Sequence, residues 1–426
     1  MPVEYKKILD VKYSADIIVV GGGPAGVSAA VSAARCGKEV IIIESSGTFG
    51  GSSMLCNVPE LMNFDDGEKF ICHGFGREIF DGLGFVHENK RKWPLVKPEK
   101  LKRLYDKLIQ DAGVTTLFYT KIVDVLCDNG KITHVIASGA EGVYAIEAEV
   151  FIDCTGSGAL CAMAGAEYEY GDDEGRAMSA TLCSIWGGVD FSQKGIDGDY
   201  YEKAYKEGVF SQYDPILPGI KANFPEIGVG EANAGHCFGV DDTDTESLTQ
   251  ATFYGRKILK EYEEFYNNYV PGCESAMLIK SSDFIGIRES RRIKCEYMLN
   301  QNDFYRKEPF CDEIGRYSYP VDIHPMKADK EAVEEFHESL TLHHKAGETY
   351  SIPYRCLVPV GIKNLFVAGR SLGVDRAMQA SIRVIPGCYI TGQAAGVGAA
   401  VCVGDKCCAK DADIKKIQTL LKELCR

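Results

Sequence analysis

The stretch "DIIVVGGGPAGVSAA", residues 16–30, constrains the fold more than any other part of the chain. Ile17, Ile18, Val19 and Val20 are a continuous apolar, β-branched run, as in a strand buried on both faces. Gly21, Gly23 and Gly26 follow in the spacing G-x-G-x-x-G. Helix formers then continue to Arg35, and Gly37 suits a helix stop. A second strand is expected over residues 39–43, ending at Glu44. The whole reads as a βαβ unit. Gly21 permits the tight turn, Gly23 lets backbone approach a pyrophosphate, and Gly26 lets helix and strand pack closely. Pro24 and Ala25 open the helix, whose free N–H groups and positive dipole end favour phosphate. Glu44, about 20 residues on, is placed to accept hydrogen bonds from ribose hydroxyls. The unit predicts a dinucleotide site, and the motif alone does not separate FAD from NAD.

The segment after Glu44, "ESSGTFGGSS", holds Ser45, Ser52 and the glycines Gly47, Gly50 and Gly51. It can lie close along an extended cofactor. A soluble dehydrogenase would continue with further βαβ units, but here the chain enters an irregular segment over residues 56–98. No second strand–GxGxxG–helix unit follows for a nicotinamide nucleotide; "GVGEANAG" (228–235) has the wrong spacing.

Composition bounds the alternatives. A chain of 426 residues can bury a large core and accommodate two or three domains. The net charge of −14 argues against nucleic acid or an anionic membrane as a partner. Any anionic ligand must therefore be held by local arginines. Residues 1–16 lack the apolar stretch of a signal peptide, and the run at 394–403 is too short for a span, so the expected address is cytoplasmic. A homo-oligomer is allowed. The 17 cysteines show no paired C-x-x-C spacing, so no metal is expected and most should be buried thiols.

Residues 101–110 read as an amphipathic helix and 115–120 as a strand. Asn129-Gly130 is a two-residue hairpin signal inside a β-meander that ends near residue 153. From about 181 to 350 the texture changes, with helices expected at 246–269 and 327–343. The expected architecture is α/β. A Rossmann-like domain with a parallel sheet and small meander is made of residues 1–180 and 351–426, and an α+β substrate-capping domain over 181–350 is inserted into it. In the second part, "NLFVAGR" reads as a buried strand ending at Gly369-Arg370, where backbone can approach a cofactor's phosphates or ribityl chain. Pro386-Gly387 then opens a small-residue helix.

Through these stretches the chain resembles the FAD-dependent oxidoreductases whose FAD domain is of the fumarate-reductase-flavoprotein or glutathione-reductase type. "FIDCTGSGALCAMAGAEYEYG" (151–171) is similar to their D-x-T-G turn, which here holds Thr155 and Gly156. "IGIRESRRI" (285–293) is similar to a segment near the flavin, and residues 364–400 to the closing strand, loop and helix. The resemblance implies non-covalently bound FAD, with the helix N-terminus at Gly387 facing the pyrimidine side of the isoalloxazine. Ser157 and Ala159 stand where related sequences often carry acids.

The chemistry candidates follow. Arg288, Arg291 and Arg292 crowd around Glu289, and Arg370, Arg376 and Arg383 flank the C-terminal cofactor segment. Arginine forks suit carboxylates, so a small acidic or carbonyl-bearing substrate is expected, with Arg288 and Arg292 anchoring it. The resemblance brings the "D-x-H" of residues 322–324 to the flavin. His324 is therefore the expected proton-handling group, ahead of His343 and His344. Cys56 can reach the flavin, but no second cysteine follows at the spacing of dithiol reductases; Cys402 and Cys407 have that spacing in the wrong place. The expected function is hydride transfer between FAD N5 and the substrate, with electrons exchanged with substrate or with a separate donor or acceptor. The alternatives are a flavin-carrying electron-transfer subunit of a larger complex, or a non-redox use of FAD.

Overall fold

The computed structural model describes residues 2–87, 93–216 and 219–425. Its main sheet contains β1 (Val11–Val20), β2 (Val40–Ile43), β3 (Thr115–Leu117), β4 (Lys121–Asp128), β5 (Lys131–Gly139) and β6 (Gly142–Asp153), joined by the strand Leu365–Val367. The spatial order is β3-β2-β1-β6-β5-β4. β1 pairs in parallel with both β2 and β6, with Ile17 opposite Val40 and Val150. Ile17, Ile18 and Val19 are wholly buried, as a strand covered on both faces requires.

The length of β6 lets one strand serve two purposes. On the side away from β1, residues 142–147 pair antiparallel with β5 and complete the meander. Residues 151–153 on the same side pair in parallel with Leu365–Val367. The chain thus returns to the parallel sheet beside the end of β6, with β6 between it and β1. The β4–β5 turn is the expected Asn129-Gly130 pair, both residues at positive φ, as a primed hairpin turn demands.

Helix α1 (Pro24–Arg35) lies against the helix Ile385–Asp405 at nearly backbone contact. A Cβ on Gly392 would stand 2.1 Å from the Ala25 carbonyl oxygen, and one on Gly396 would stand 2.2 Å from that of Ala29. The small-residue run is therefore a helix–helix seam. The helix is 21 residues long, well beyond the run at 394–403. It has the length and apolarity of a membrane span, but 94% of that apolar window is buried inside the protein.

A four-stranded antiparallel sheet, Lys221–Phe224, Val229–Ala232, Ser184–Gly187 and Met277–Ser281 in that order, has its own core. Trp186 meets Tyr266 of the helix Thr245–Tyr269 edge to face, with ring centroids 4.9 Å apart, among Tyr262 and Phe265. Within the stretch 181–350 the buried side chains divide. Most of those between Leu182 and Ala276 form this second cluster, Cys237, Val240 and Ala251 form a small separate one, and Ile293, Phe304, Tyr317 and Val321 join the larger core.

Candidate active site

The glycine turn after β1 opens one wall of a cleft of about 410 Å³. Gly21 has φ +102°, and a Cβ there would fall 2.4 Å from the Cys154 carbonyl oxygen, so only glycine fits between the ends of β1 and β6. Gly26 packs on the Gly21 carbonyl. Gly23 faces open space, its nearest neighbour being the Cα of Gly51 at 3.9 Å, and leaves room for a ligand. Of the residues expected to bind cofactor, Gly21, Gly23, Pro24, Ala25, Glu44, Ser45, Gly51, Ser52, Thr155, Gly156, Gly369 and Arg370 line the cleft. Three lie outside its lining. Gly26 serves helix–strand packing. Gly50 donates its N–H to the Gly22 carbonyl at 2.9 Å, and Gly387 is packed against the Ile382 carbonyl and the Tyr317 ring. The neighbours of Gly387 in the same helix turn, Ile385 and Cys388, are the ones that reach the cleft.

The surrounding chemistry fits a dinucleotide. The first turn of α1 has neither a side-chain cap nor an acidic residue, so its N–H groups are left for an external anion. The N-terminus of the helix Ile385–Asp405 is likewise uncapped by side chains. Glu44 is buried; its Oε2 accepts from the Gly22 N–H at 2.8 Å and its Oε1 from the Ser46 N–H at 2.7 Å. Oε1 also accepts from the Ser45 hydroxyl at 3.3 Å, so Oε2 is the oxygen that keeps a lone pair for a ribose hydroxyl. Buried Asp153 accepts from the Thr155 N–H and hydroxyl at 3.0 and 2.7 Å and from the Cys161 N–H at 2.9 Å, fixing the Thr155-Gly156 turn. Arg370 crosses that turn, its Nε donating to the Gly156 carbonyl and Nη1 to the Ile287 carbonyl at 2.6 Å.

A second cavity, of about 180 Å³, abuts the cleft and shares Ser52, Ile287, Arg370, Arg383 and Ile385 with it. Arg288 and His324 line it, together with Tyr319, Asp322 and Asn233. Arg288 is 7% exposed, yet its partners are neutral: the Ser179 carbonyl and Thr181 Oγ1, each at 2.8 Å, and Asn233 Oδ1 at 3.1 Å. Among the described residues no carboxylate lies within ion-pair distance of it. Burial and the Arg383 charge lower its pKa to about 10, so it remains a cation at neutral pH.

Arg292 is not brought to this cavity. It sits in the short strand Arg292–Ile293, and its Nη1 donates to Glu289 Oε1 at 2.7 Å and its Nη2 to the Gly171 carbonyl at 2.9 Å. The same carboxylate takes Arg376 and the Met178 N–H. Glu289 thus pairs with two of the expected arginines. Arg291 donates to the Ser157 carbonyl and stacks on Tyr168.

His324 is held at both ring nitrogens. Its Nδ1 is 2.9 Å from Nε2 of His236, and its Nε2 is 3.3 Å from Asp322 Oδ1. His236 Nδ1 is in turn 2.8 Å from Asp214 Oδ1. Burial and Arg288 push His324 well below its ordinary pKa, so the ring is neutral. Burial alone would raise Asp322, but the charges of Arg383 and Arg288 hold it well below the usual carboxylate range. Arg383 donates to Asp322 Oδ2 at 3.0 Å. Sequence reasoning missed His236 and Asp214. They lie 88 and 110 positions before His324, and no local pattern marks them (324 − 236 and 324 − 214). His344 is buried elsewhere against Phe304, and His343 is exposed.

Cys56 lines the cleft, but burial pushes its thiol up to about 11, so it is not a thiolate nucleophile at neutral pH. All 17 cysteines are free, and among the described residues no group of His, Cys, Asp and Glu could hold a metal ion.

The profile of the family described as FAD dependent oxidoreductase matches residues 16–421. The flavin-dependent halogenase rdc2 of Metacordyceps chlamydosporia is 34% identical over 111 residues, 23% of this chain and 21% of that protein. The digeranylgeranylglycerophospholipid reductase 2 of Methanothermobacter thermautotrophicus is 28% identical over 235 residues, 52% of this chain and 56% of the relative. In both, the match spans less than two thirds of the relative's own length. Among solved structures, a geranylgeranyl bacteriochlorophyll reductase-like protein from Thermoplasma acidophilum superposes with a TM-score of 0.50 at 13% identity, covering 97% of this chain and 83% of that one. At that identity the likeness is one of fold.

Proposed function

Because the chain belongs to the FAD-dependent oxidoreductase family and FAD is its cofactor, we propose that it transfers a hydride to or from a small substrate bearing a carboxylate or carbonyl group, bound in the cavity beside the cleft. Bound FAD supplies the two-electron chemistry at its N5. The observation that carries the reading is Arg288, a buried guanidinium whose hydrogen bonds among the described residues all go to neutral acceptors, in a cavity that shares a wall with the cleft. A buried cation that makes no direct ion pair among the described residues favours an anionic or strongly polarised ligand in a dry site. Arg288 would bind and orient that group, His324 would take or give the proton that accompanies hydride transfer, and residues between 181 and 350 would cap the substrate. Arg292 is left out of this role because Glu289 already pairs it. The reading keeps a cytoplasmic enzyme whose partner is a small molecule rather than nucleic acid or membrane, with a homo-oligomer and a separate electron carrier both allowed.

The test is anaerobic photometry of the flavin band against small acids, enones, polyols and NAD(P)H. Bleaching by a carboxylate- or carbonyl-bearing compound is expected, and Arg288→Met should slow it at least about tenfold with FAD content unchanged, as loss of a charge-assisted contact implies. Bleaching by NAD(P)H alone, or by a neutral polyol that Arg288→Met does not affect, would refute the substrate class. A band that no compound changes would favour the electron-transfer subunit.

A further inference from the structure

We propose that His324, His236 and Asp214 form a proton relay from the substrate cavity to a water site on the far side of His236. The need for a proton at His324 rests on the reading above; the relay itself is argued from hydrogen-bond counting. The four side chains form a row, Asp214, His236, His324, Asp322, with three contacts of 2.8, 2.9 and 3.3 Å. Every contact lies between atoms that can accept, so each needs one proton to become a hydrogen bond. Two neutral imidazoles carry two protons. With both carboxylates ionised, the row is therefore one proton short.

The carboxylate partners decide where the shortage lies. Asp322 has Arg383 on its Oδ2 at 3.0 Å and the Tyr319 hydroxyl at 3.3 Å, so it is stabilised without a proton from His324. Among the described residues no lysine or arginine lies within ion-pair distance of Asp214. Burial raises its pKa, and the ring and backbone hydrogen bonds of His236, with the Ile216 N–H, more than offset this. One of those bonds comes from the His236 backbone N–H to Oδ2 at 2.8 Å, which aims Oδ1 at the ring. His236 therefore carries its proton on Nδ1, its Nε2 accepts from the Nδ1–H of His324, and the vacant place falls at His324 Nε2. A bare imidazole nitrogen is left at the substrate cavity beside a carboxylate that will accept from it once it is protonated.

When the substrate releases a proton to His324 Nε2, the third hydrogen bond forms to Asp322. The Nδ1 proton of His324 passes to His236 Nε2, and the Nδ1 proton of His236 passes to Asp214 and on to water. One proton has then moved from cavity to solvent, and the row carries the same charge as before. The shortage now lies at the Asp214 end, and the reverse sequence returns a proton to the cavity.

A place for that water exists. Beyond His236 a void of about 10 Å³, room for one molecule, is bounded by Asp214, Gln212, Glu261 and Tyr262. Among the described residues Gln212 Oε1 is buried there without a hydrogen-bond partner, which a water would supply, and the Tyr262 hydroxyl borders the same void. Glu261 is half-buried and leads toward the surface.

His236 and Asp214 are positioning residues in this account, and the decisive readout is the imidazole tautomer. In the FAD-loaded protein labelled with 15N-histidine, with His324 assigned through His324→Gln, the unsubstituted chain should show His324 protonated at Nδ1 and bare at Nε2. A coupling should be seen across the His324–His236 hydrogen bond. In Asp214→Asn the side-chain amide donates to His236 Nδ1, which reverses both rings and moves the His324 proton to Nε2. An unsubstituted protein whose His324 proton sits on Nε2 would overturn the proposal even if Asp214→Asn failed to fold, as would an Asp214→Asn protein whose His324 tautomer is unchanged. Neither result depends on any substrate. Flavin that no carboxylate or carbonyl compound bleaches, with the tautomers as expected, would instead sink the substrate reading and leave the relay.

Discussion

At the scale of single residues, Glu44 joins fold to ligand binding. Its carboxylate ties the glycine turn to the end of β2 through the Gly22 and Ser46 amides, and it also faces the cleft. Glu44→Ala should weaken FAD binding about tenfold to a hundredfold, the range for losing a charge-assisted contact, read by FAD fluorescence during titration of the apoprotein. An unchanged affinity would mean that the ribose lies elsewhere. The arginines show how far residue types alone carry such an argument. Arg288 and Arg292 have the same chemistry four positions apart. Only the placement of Glu289, a counter-ion for one and not for the other, distinguishes an open guanidinium from a structural one.

At the scale of elements, periodicity and punctuation were informative. The helix expected at 246–269 is Thr245–Tyr269, started by an Asp244 cap, and the amphipathic helix at 101–110 extends to Pro98–Asp111. The helix expected at 327–343 is shorter, Lys330–Leu340, because the Asp329 side chain caps it at the Ala332 N–H. What no local pattern revealed is that the glycines of Ile385–Asp405 are spaced to receive α1. Gly392→Val places a side chain on the Ala25 carbonyl, which is backbone and cannot yield. It should cost about 3 kcal/mol in denaturant unfolding and lower FAD occupancy by displacing the start of α1. Gly404→Ala, at the far end of the same helix, meets only the Lys38 ammonium at 3.7 Å and should be neutral or slightly stabilising. Equal losses from both changes would refute the seam.

At the scale of the whole molecule, burying His324 has a consequence for stability. Its pKa in the folded protein lies below the ordinary value of about 6.5. Between those two values the unfolded chain binds a proton that the folded chain does not, so stability is lost as pH falls below about 6.5. Asp322, also lowered, adds a loss of the same sign only below its ordinary value of about 3.9. His324→Gln should therefore reduce the dependence of unfolding free energy on pH between about 6.5 and 4. The reduction should approach about 1.4 kcal/mol per pH unit, one proton's worth, in guanidinium titrations at fixed FAD. An unchanged slope would mean that His324 is protonated in the folded protein.

The sequence by itself determined the dinucleotide half of this protein. Strand, glycine turn, helix and terminal acid are consecutive there, and each acts through backbone conformation and short-range sterics that the local residues dictate. The meander and its Asn129-Gly130 turn were legible for the same reason. The substrate half was decided by tertiary structure. Asp214, His236, Arg288 and His324 are dispersed over 111 positions of chain (214 to 324), and their chemistry arises only when the fold brings them into contact. Burial then sets the charges of Asp214, Arg288 and His324 through desolvation and neighbouring groups, and neither of these is a local property of the sequence.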